Sequence, residues 1–331
     1  MNQVISQEAL DCVVASFHLN KSSVAIKGVE GGYSRNRRSI VGDGDRWVFV
    51  KEVDLQLLPD NGETELQWLS KDFSCIKLLR DKNIDIAPEN PRLLNDGKIL
   101  CIKAYCKEEG WLWGAPQDTG LLDTYVQVVL DNIMLLEKLE ISDRKRRELK
   151  LSPFLRDKLG NDSGIDLLRS NHTHKKTILD KYNQLIDNER NKFMASAYCD
   201  MLKLLRHDRS IQSITDSAEA LLSQPNSSFG HGDVRSDNIT FNLVSGKIKF
   251  VDWNWSSYVP KGFGATEFLV DLSRRGLDVT PWLSYLNKEL LAAMVCFYAK
   301  RCLLEDLAPG NSLRIMQAQS AAVAARMYSL V

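Results

Sequence analysis

The stretch FGHGDVRSDN, residues 229–238, places a histidine, two glycines, two aspartates, an arginine and an asparagine within ten positions. Its apolar residues show neither a helical nor a strand period, so no regular element is expected there. β-prone runs follow at Ile239–Asn242 and Lys247–Val251, and Asp252 comes directly after the second run. The pattern predicts a polar loop followed by two short strands, the second of which leads into a carboxylate.

Three oxygen-bearing side chains in this region suit the chemistry of a hard metal ion. Asn238 lies five residues after Asp233 in the loop, and Asp252 lies nineteen residues after Asp233. A carboxylate and a carboxamide that converge on one point are typical ligands of Mg²⁺, which in turn favours phosphate groups. Asp233 would then be free to accept the proton of an attacking hydroxyl. The alternative is that these residues are ordinary turn formers that never meet.

The two motifs resemble those of a known family. The HGD triplet that begins at His231, with Asn238 downstream, and the DW pair that begins at Asp252 are similar to the H-x-D-x4-N and D-[WF] motifs of the aminoglycoside phosphotransferase and choline kinase family. That family is similar in fold to protein kinases and uses ATP and Mg²⁺. The resemblance implies that Asp233 is the catalytic base and that His231 is a structural brace of the loop. Asn238 and Asp252 would be the metal ligands.

The first hundred residues contain parts that resemble a nucleotide site of this kind. Such a site needs a glycine-rich turn over the phosphates and a cation on a neighbouring strand. The candidate turn contains Gly31, Gly32 and Ser34, between the first two predicted strands, and departs from the GxGxxG pattern. Lys51 ends the run VFVK nineteen residues beyond Gly32 and resembles the lysine that anchors ATP in the family. An edge-strand lysine without this role is the alternative.

Two further nucleotide contacts follow from the same resemblance. Lys51 is expected to pair with an acid on the next helix, where Glu65 and Asp72 are seven residues apart and therefore share one face. Glu65 is preferred because its side chain is longer. The run ILCIKAYC leads to the hinge between the lobes, where backbone groups from Ala104 to Cys106 would meet the adenine ring.

Three positions near the motifs have their own interpretations. Arg235, two residues after Asp233, occupies the place of a protein-kinase lysine, where a cation would offset charge on the transferred phosphoryl group. A solvated loop arginine is the alternative. Asp271, in EFLVDL, resembles the acid that braces the catalytic loop in the family, although it also fits a helix N-terminal charge. Asn254 stands where family members often carry a second acid after the metal aspartate, and this departure keeps an oxygen donor.

The order of elements predicts a small β-rich lobe followed by a larger helical one. An amphipathic helix is expected at Glu63–Lys82, between two β hairpins. Beyond Gly110 helical patterns dominate, at Leu121–Leu139, Lys192–Leu205, Pro281–Leu307 and Leu313–Leu330. We predict an α+β, two-lobed protein-kinase-like fold. Its N-terminal lobe would span residues 1–105, its hinge 106–114 and its C-terminal lobe 115–331.

Composition narrows the range of partners and of cellular location. The chain has 331 residues, and its 43 basic and 43 acidic residues leave no net charge. Without a global electrostatic field, binding to nucleic acid or to an anionic membrane is not expected. No apolar stretch has the length of a membrane helix, and the first residues lack the pattern of a secretory signal. Seven cysteines without metal-ligand spacing indicate reduced thiols, so a cytoplasmic protein is expected.

These observations together lead us to expect an enzyme that transfers the γ-phosphoryl group of ATP, with Mg²⁺, to a hydroxyl of a small molecule. The acceptor could be an aminoglycoside, an amino alcohol or a sugar-like compound. Residues 141–192 carry thirteen basic and eight acidic side chains, which would repel a polycationic aminoglycoside if they line the acceptor site. The alternatives are a nucleotide-binding pseudokinase or scaffold, and a protein Ser/Thr kinase. The complete set of catalytic motifs argues against the first, and the lack of an APE-like segment after Asp252 argues against the second.

Overall fold

The computed structural model of the protein describes residues 4–29, 36–44, 46–55, 62–151, 163–170, 172–225, 227–304 and 312–331. Within these residues a β-rich N-terminal part is followed by a helical C-terminal part, which confirms the predicted α+β class. The candidate glycine turn with Gly31, Gly32 and Ser34 lies outside the described residues.

The helices are α1 (Gln7–Phe17), α2 (Gly62–Asp81), α3 (Thr119–Glu137), α4 (Asp143–Glu148), α5 (Ile165–Ser170), α6 (His172–Asn188), α7 (Lys192–Arg206), α8 (Asp208–Leu222), α9 (Phe263–Arg274), α10 (Lys288–Arg301) and α11 (Leu313–Tyr328). The strands are β1 (Ala25–Gly28), β2 (Arg37–Gly42), β3 (Trp47–Glu52), β4 (Arg92–Leu94), β5 (Ile99–Lys103), β6 (Trp111–Trp113), β7 (Ser228–Gly230), β8 (Ile239–Asn242), β9 (Ile248–Phe250) and β10 (Ser257–Val259).

A five-stranded antiparallel sheet in the order β1-β2-β3-β5-β4 makes up most of the N-terminal part. The β2–β3 and β4–β5 pairs are the two predicted hairpins. Strand β3 is central, and Lys51 near its end lies opposite Arg38 on β2 and Leu100 on β5. Because both neighbouring strands are hydrogen-bonded to β3, the backbone of Lys51 is held from both sides.

Helix α1 packs against this sheet and was missing from the sequence-based prediction. Their shared core consists of Ile5, Ala9, Val13, Val14, Leu19, Val41, Val48, Val50, Ile99 and Cys101. Ser6 caps the helix, since its Oγ accepts a hydrogen bond from the Ala9 N–H at 3.1 Å. The Ser6 backbone N–H also donates to Glu52 Oε2 at 2.7 Å, so the helix is tied to the residue that follows Lys51.

Helix α2 and a second sheet, in the order β6-β8-β9, belong to the same compact unit as the first sheet. The helix begins and ends within one residue of the predicted span. It packs beside the 3₁₀ turn Trp253–Trp255, and the rings of Trp68 and Trp255 are 6.2 Å apart. Trp253 is fully buried and donates from Nε1 to the Phe250 carbonyl oxygen at 2.7 Å. These contacts fix the chain on both sides of the Asp252–Trp253 motif.

The second compact unit contains the C-terminal helices. One prediction about these helices was wrong. Pro281–Leu307 is not one helix, because a 3₁₀ turn at Thr280–Tyr285 precedes α10. Asn287 caps α10 by accepting from the Leu290 N–H at 2.9 Å, which ends the turn and starts the helix.

The chain divides by compactness into two units that alternate along the sequence. The first comprises Met1–Asn132, Ile141–Leu151 and Ser236–Ser256, and the second Ile133–Glu140, Ser152–Arg235 and Ser257–Val331. The lobe boundary expected at residues 106–114 remains a prediction.

In the described ranges, every helix is too short or too polar to cross a membrane.

Gly164, just before α5, is a point where two backbones approach closely. Its φ is +77°, and a Cβ there would lie 2.1 Å from the Cys296 carbonyl oxygen of α10. We expect Gly164→Ala to destabilise the protein by more than about 3 kcal/mol in urea denaturation, because strain and a backbone clash act together. Gly276→Ala is the matched control, since Gly276 has a φ of +85° and a Cβ there would meet no heavy atom within 4 Å. This substitution should lower the free energy of unfolding by only about 1 kcal/mol. Equal losses would contradict the close approach.

Candidate active site

Lys51 lies between two carboxylates that come from distant parts of the sequence. Its side chain is 9% exposed, and its Nζ is 2.7 Å from Asp72 Oδ2 and 2.7 Å from Asp252 Oδ1. Strand β3 supplies the lysine, helix α2 supplies Asp72, and Asp252 follows strand β9. The structure therefore brings together the predicted ATP-anchoring lysine and one predicted metal ligand, 201 positions apart.

The electrostatics of this group favour a charged lysine. Burial opposes the ammonium charge, but attraction by Asp252 and Asp72 outweighs it and raises the pKa of Lys51. Burial raises the pKa of Asp72, while the neighbouring ammonium of Lys51 opposes that shift. Two carboxylates thus share one cation, and the group can accept further positive charge.

Asp72, rather than the preferred Glu65, is the acid paired with Lys51, so this prediction was wrong. The two acids share a helix face, but seven residues separate them by about 10 Å along the axis, more than the extra length of a Glu side chain. Asp72 also accepts a hydrogen bond from the Trp253 N–H at 2.9 Å, which places it between the end of β3 and the turn after Asp252. Glu65 is buried elsewhere on α2, with 6% of its surface exposed.

The two predicted metal ligands approach each other through the backbone. Asn238 ends a 3₁₀ turn and is buried, and its carbonyl oxygen accepts from the Val251 N–H at 2.9 Å. Asp252, the next residue, has a left-handed backbone with a φ of 70°, which is unusual for a residue other than glycine. Such conformations concentrate at functional sites, where the fold holds a side chain in a required direction.

This donor set fits a magnesium ion on chemical grounds. Asp252 offers a carboxylate that is 28% exposed, and Asn238 offers a carboxamide oxygen. Asn254, where the sequence departs from the family pattern, supplies a third oxygen. Its Oδ1 is buried and has no hydrogen-bond partner among the described residues. Mg²⁺ usually takes one or two carboxylates and completes its shell with water and phosphate oxygens.

In the second unit, the predicted base Asp233 forms an ion pair with Arg235. Arg235 Nε is 2.8 Å from Asp233 Oδ1, and Nη2 is 3.2 Å from Oδ2. The guanidinium also lies against α11, with Nη1 3.6 Å from Met316 Sδ. Arg235 is therefore mostly buried beside the carboxylate, with 14% of its side chain exposed, and is not a solvated loop arginine.

Glu267 of α9 is a site residue that the sequence analysis missed. Its Oε2 accepts a hydrogen bond from the Val234 N–H at 2.7 Å, directly after Asp233. Burial, followed by repulsion from Asp233, raises the pKa of Glu267 to about 8. A signal was available in the sequence, since a Glu in the apolar segment FGATEFLVDL stands four residues before Asp271 and so faces the same side of the helix.

Asp271 and His231, the predicted braces, are both buried in the second unit. Asp271 accepts from Arg274 Nη2 at 2.5 Å and from Arg275 Nε at 3.1 Å, both on or next to its own helix. Their bracing roles remain predictions. Glu267 is an acid of the same helix that does accept a hydrogen bond from the loop backbone, at the Val234 N–H.

The predicted hinge continues from β5. The Ala104 N–H donates to the Trp47 carbonyl oxygen at 3.0 Å, which extends the pairing of β5 with β3 by one residue. The Cys106 carbonyl oxygen accepts from the N–H groups of Glu109, at 3.1 Å, and Trp111, at 3.3 Å. These bonds close a tight turn, and adenine binding at this segment stays a prediction.

Known structures share this fold. An ethanolamine kinase from Plasmodium vivax has a TM-score of 0.53 and 15% identity, over 92% of this chain and 83% of that chain. A spectinomycin phosphotransferase, solved with ADP and spectinomycin, has a TM-score of 0.53, 15% identity and 92% coverage of both chains. The choline kinase LicA from Streptococcus pneumoniae has a TM-score of 0.51 and 9% identity, over 96% of this chain and 97% of that chain.

These likenesses confirm the predicted kinase-like fold. No protein-family model and no curated protein matches the sequence. The solved structures agree, at the level of fold, with the resemblance inferred from the HGD and DW motifs.

The pairing of Lys51 with Asp72 can be tested by comparing two double-mutant cycles. Lys51→Met combined with Asp72→Asn should show a coupling energy of about 2 kcal/mol in urea denaturation, because the buried ion pair is removed while the amide oxygen still accepts from Trp253. The matched cycle with Glu65→Gln should show less than about 0.5 kcal/mol. A larger coupling to Glu65 would restore the original assignment.

The raised pKa of Glu267 predicts a specific pH dependence of stability. Below its ordinary pKa of 4.5 the carboxyl is protonated in both the folded and unfolded states, so its burial as a charge does not lower the free energy of unfolding there. Between pH 4.5 and about 8 only the unfolded state ionises, so the free energy of unfolding falls over that range. We expect Glu267→Gln to raise stability by about 2 kcal/mol at pH 8 and by little at pH 4.

Urea denaturation at several pH values measures this difference. Glu140→Gln, at an exposed position, is the control and should follow the wild-type curve. A Glu267→Gln curve parallel to wild type from pH 4 to 8 would show that the carboxyl ionises normally.

Proposed function

We propose that this protein is a small-molecule kinase that transfers the γ-phosphoryl group of ATP, in the presence of Mg²⁺, to a hydroxyl group. The observation that carries the proposal is the buried group of Lys51, Asp72 and Asp252 in a kinase-like fold. A structural ion pair would need only one acid for the lysine. A second, partly exposed carboxylate beside the ammonium suits a site that binds phosphates together with a metal ion.

The first unit would hold the nucleotide. Lys51 would bind phosphate oxygens, and the turn with Gly31, Gly32 and Ser34 would cover them. At the hinge, the Ala104 N–H and the Cys106 carbonyl are already bonded within the chain, so the base would meet the Ala104 carbonyl and the Cys106 N–H. Asn238 and Asp252 would hold Mg²⁺, which neutralises charge on the phosphate oxygens when bound.

Asp233 would accept the proton of the acceptor hydroxyl as the oxygen attacks phosphorus. Arg235 contacts both carboxylate oxygens of Asp233, so it holds the base in one orientation. Its guanidinium would also offset negative charge on the transferred group. Both functions need a buried, fixed arginine, as the structure has.

The acceptor would be a small hydroxyl compound such as an amino alcohol, an aminoglycoside or a sugar-like molecule. Structural neighbours are an ethanolamine kinase, a choline kinase and a spectinomycin phosphotransferase, which supports this range. The basic excess in residues 141–192 favours acceptors with few positive charges. We further propose a cytoplasmic location, in keeping with seven free cysteine thiols.

A screen for ADP release across amino alcohols, choline analogues, aminoglycosides, sugars and nucleosides tests the proposal. We expect one acceptor class to stimulate ADP release, and Asp233→Asn to lower kcat by about 10²–10⁴-fold because the base is lost. Asp131→Asn, at an exposed position of α3, is the matched control and should retain wild-type rates. Nucleotide binding without turnover for any acceptor would favour the pseudokinase, and transfer to peptides alone would favour the protein kinase.

The metal requirement can be measured separately from turnover. Calorimetric titration with ATP should give an affinity at least about tenfold higher with Mg²⁺ than with EDTA, because the metal links Asp252 to the phosphates. Asp252→Asn should remove most of that difference. Equal affinities with and without the metal in the wild type would contradict the proposed ligands.

A further inference from the structure

The acids around the proposed base are paired with arginines in the second unit. Arg235 Nε is 2.8 Å from Asp233 Oδ1, and its Nη2 is 3.2 Å from Oδ2. Asp271 Oδ1 is 2.5 Å from Arg274 Nη2, and Asp271 Oδ2 is 3.1 Å from Arg275 Nε. Three guanidinium groups thus accompany two carboxylates, and these five residues together carry an excess of one positive charge.

Glu267, which lies near both of these acids, adds little negative charge. Burial and then repulsion from Asp233 raise the pKa of Glu267 to about 8, and Asp271 acts in the same direction. At pH 7 most of the Glu267 carboxyl groups therefore keep their proton. The positive charge beside the base is not cancelled by this third acid.

Two of the arginines contact the same side of α11. Arg235 Nη1 is 3.6 Å from Met316 Sδ, and Arg274 Nη1 is 3.4 Å from Gln319 Oε1. Residues three positions apart share one face of a helix and lie about 4.5 Å from each other along its axis. The side chains of both arginines are mostly buried, with exposures of 14% and 13%. Two guanidinium groups are therefore held within about one helical turn of each other.

Tyr298 of α10 lies near the same two arginines. Burial and the neighbouring acids raise the pKa of its phenol, and the charges of Arg235 and Arg274 oppose that shift. The side chains of Tyr298 and Gln319 are half-buried. A phenol and a carboxamide both donate and accept hydrogen bonds, so they suit hydroxyl groups. Neither supplies the negative charge that would stabilise an ammonium group.

We propose that the acceptor is a hydroxyl compound without an ammonium group, neutral or anionic, such as a sugar or a hydroxy acid, and that Gln319 beside Arg274 helps to select it. The inference rests on the proposed kinase function and narrows the range of acceptors given there. The acceptor oxygen bonds to the γ-phosphorus, its proton passes to Asp233, and ADP leaves. An ammonium group beside two guanidinium groups would be repelled strongly, because these groups are largely shielded from water.

Pairs of acceptors that differ in one group test this inference. Glucose with glucosamine, and glycerol with 2-amino-1,3-propanediol, compare a hydroxyl with an ammonium group. In a coupled assay of ADP release at pH 7, we expect kcat/KM to be at least about tenfold higher for the members without an ammonium group. Gluconate and glycerate then distinguish an anionic from a neutral preference. The same criterion applies to the best acceptor of the wider screen, and an ammonium compound in that place would overturn the inference.

An isosteric substitution tests the selecting role of Gln319. Gln319→Glu adds one negative charge beside Arg274 at nearly constant side-chain size. We expect the ratio of kcat/KM for glucosamine to that for glucose to rise by at least about tenfold, because the new carboxylate offsets the repulsion of the ammonium group. Gln184→Glu, the same change at an exposed position of α6, is the control and should keep the wild-type ratio. An unchanged ratio in Gln319→Glu would contradict the selecting role.

Binding without turnover separates this inference from the proposed function. Compounds without an ammonium group should raise the Tm of the wild type more than their ammonium counterparts do, since a ligand that binds the folded state stabilises it. Equal or larger shifts with the ammonium compounds would overturn the inference. If the wild type and Asp233→Asn release ADP at the same rate with every compound, the kinase function fails, and the Tm shifts still decide the charge preference.

Discussion

The structure of the first unit depends on the burial of one ammonium group. Lys51 is almost completely removed from water, and a cation in that position is tolerable only with acids beside it. Helix α2 supplies one of these acids, Asp72, and the residue after strand β9 supplies the other, Asp252. Once the lysine is fixed by the central strand, the ion pairs set where α2 lies along the sheet and how the chain turns after β9. Asp252 is held there in a left-handed conformation.

Much of this arrangement follows from local sequence. The β-prone runs gave the sheet, and the HGD and DW motifs led to Asp233, Asn238 and Asp252 because their chemistry is specific at short range. The choice between Glu65 and Asp72 was different, since it depends on how α2 is placed along β3. Helix packing decides that placement, and side-chain length carries no information about it. Glu267 was missed for a related reason: an acid in an apolar helical segment indicates a buried contact but does not identify its partner, which is the backbone N–H of Val234.

Several polar groups in residues 229–238 have a partner within their own compact unit. The Asp233 carboxylate is bound to Arg235, the Val234 N–H to Glu267, and the Asn238 carbonyl to the Val251 N–H. Strand β7 ends at Gly230 and a 3₁₀ turn begins at Ser236, so the backbone between them must be satisfied by individual contacts such as that of the Val234 N–H. Two of these three contacts use backbone groups, so only the pairing of Asp233 with Arg235 requires polar side chains in the loop.

A similar charge relation occurs within each unit. In the first unit two carboxylates share Lys51, and in the second the carboxyls of Asp233 and Glu267 lie near Arg235. A triphosphate brings several negative charges, and Lys51 is already matched by its own acids. Since like charges repel strongly where water is excluded, the nucleotide proposed to bind here would have to bring positive charge with it. A divalent cation held by Asp252 would satisfy both that carboxylate and the phosphates. The two carboxylates beside Lys51 therefore support the proposed use of a metal ion.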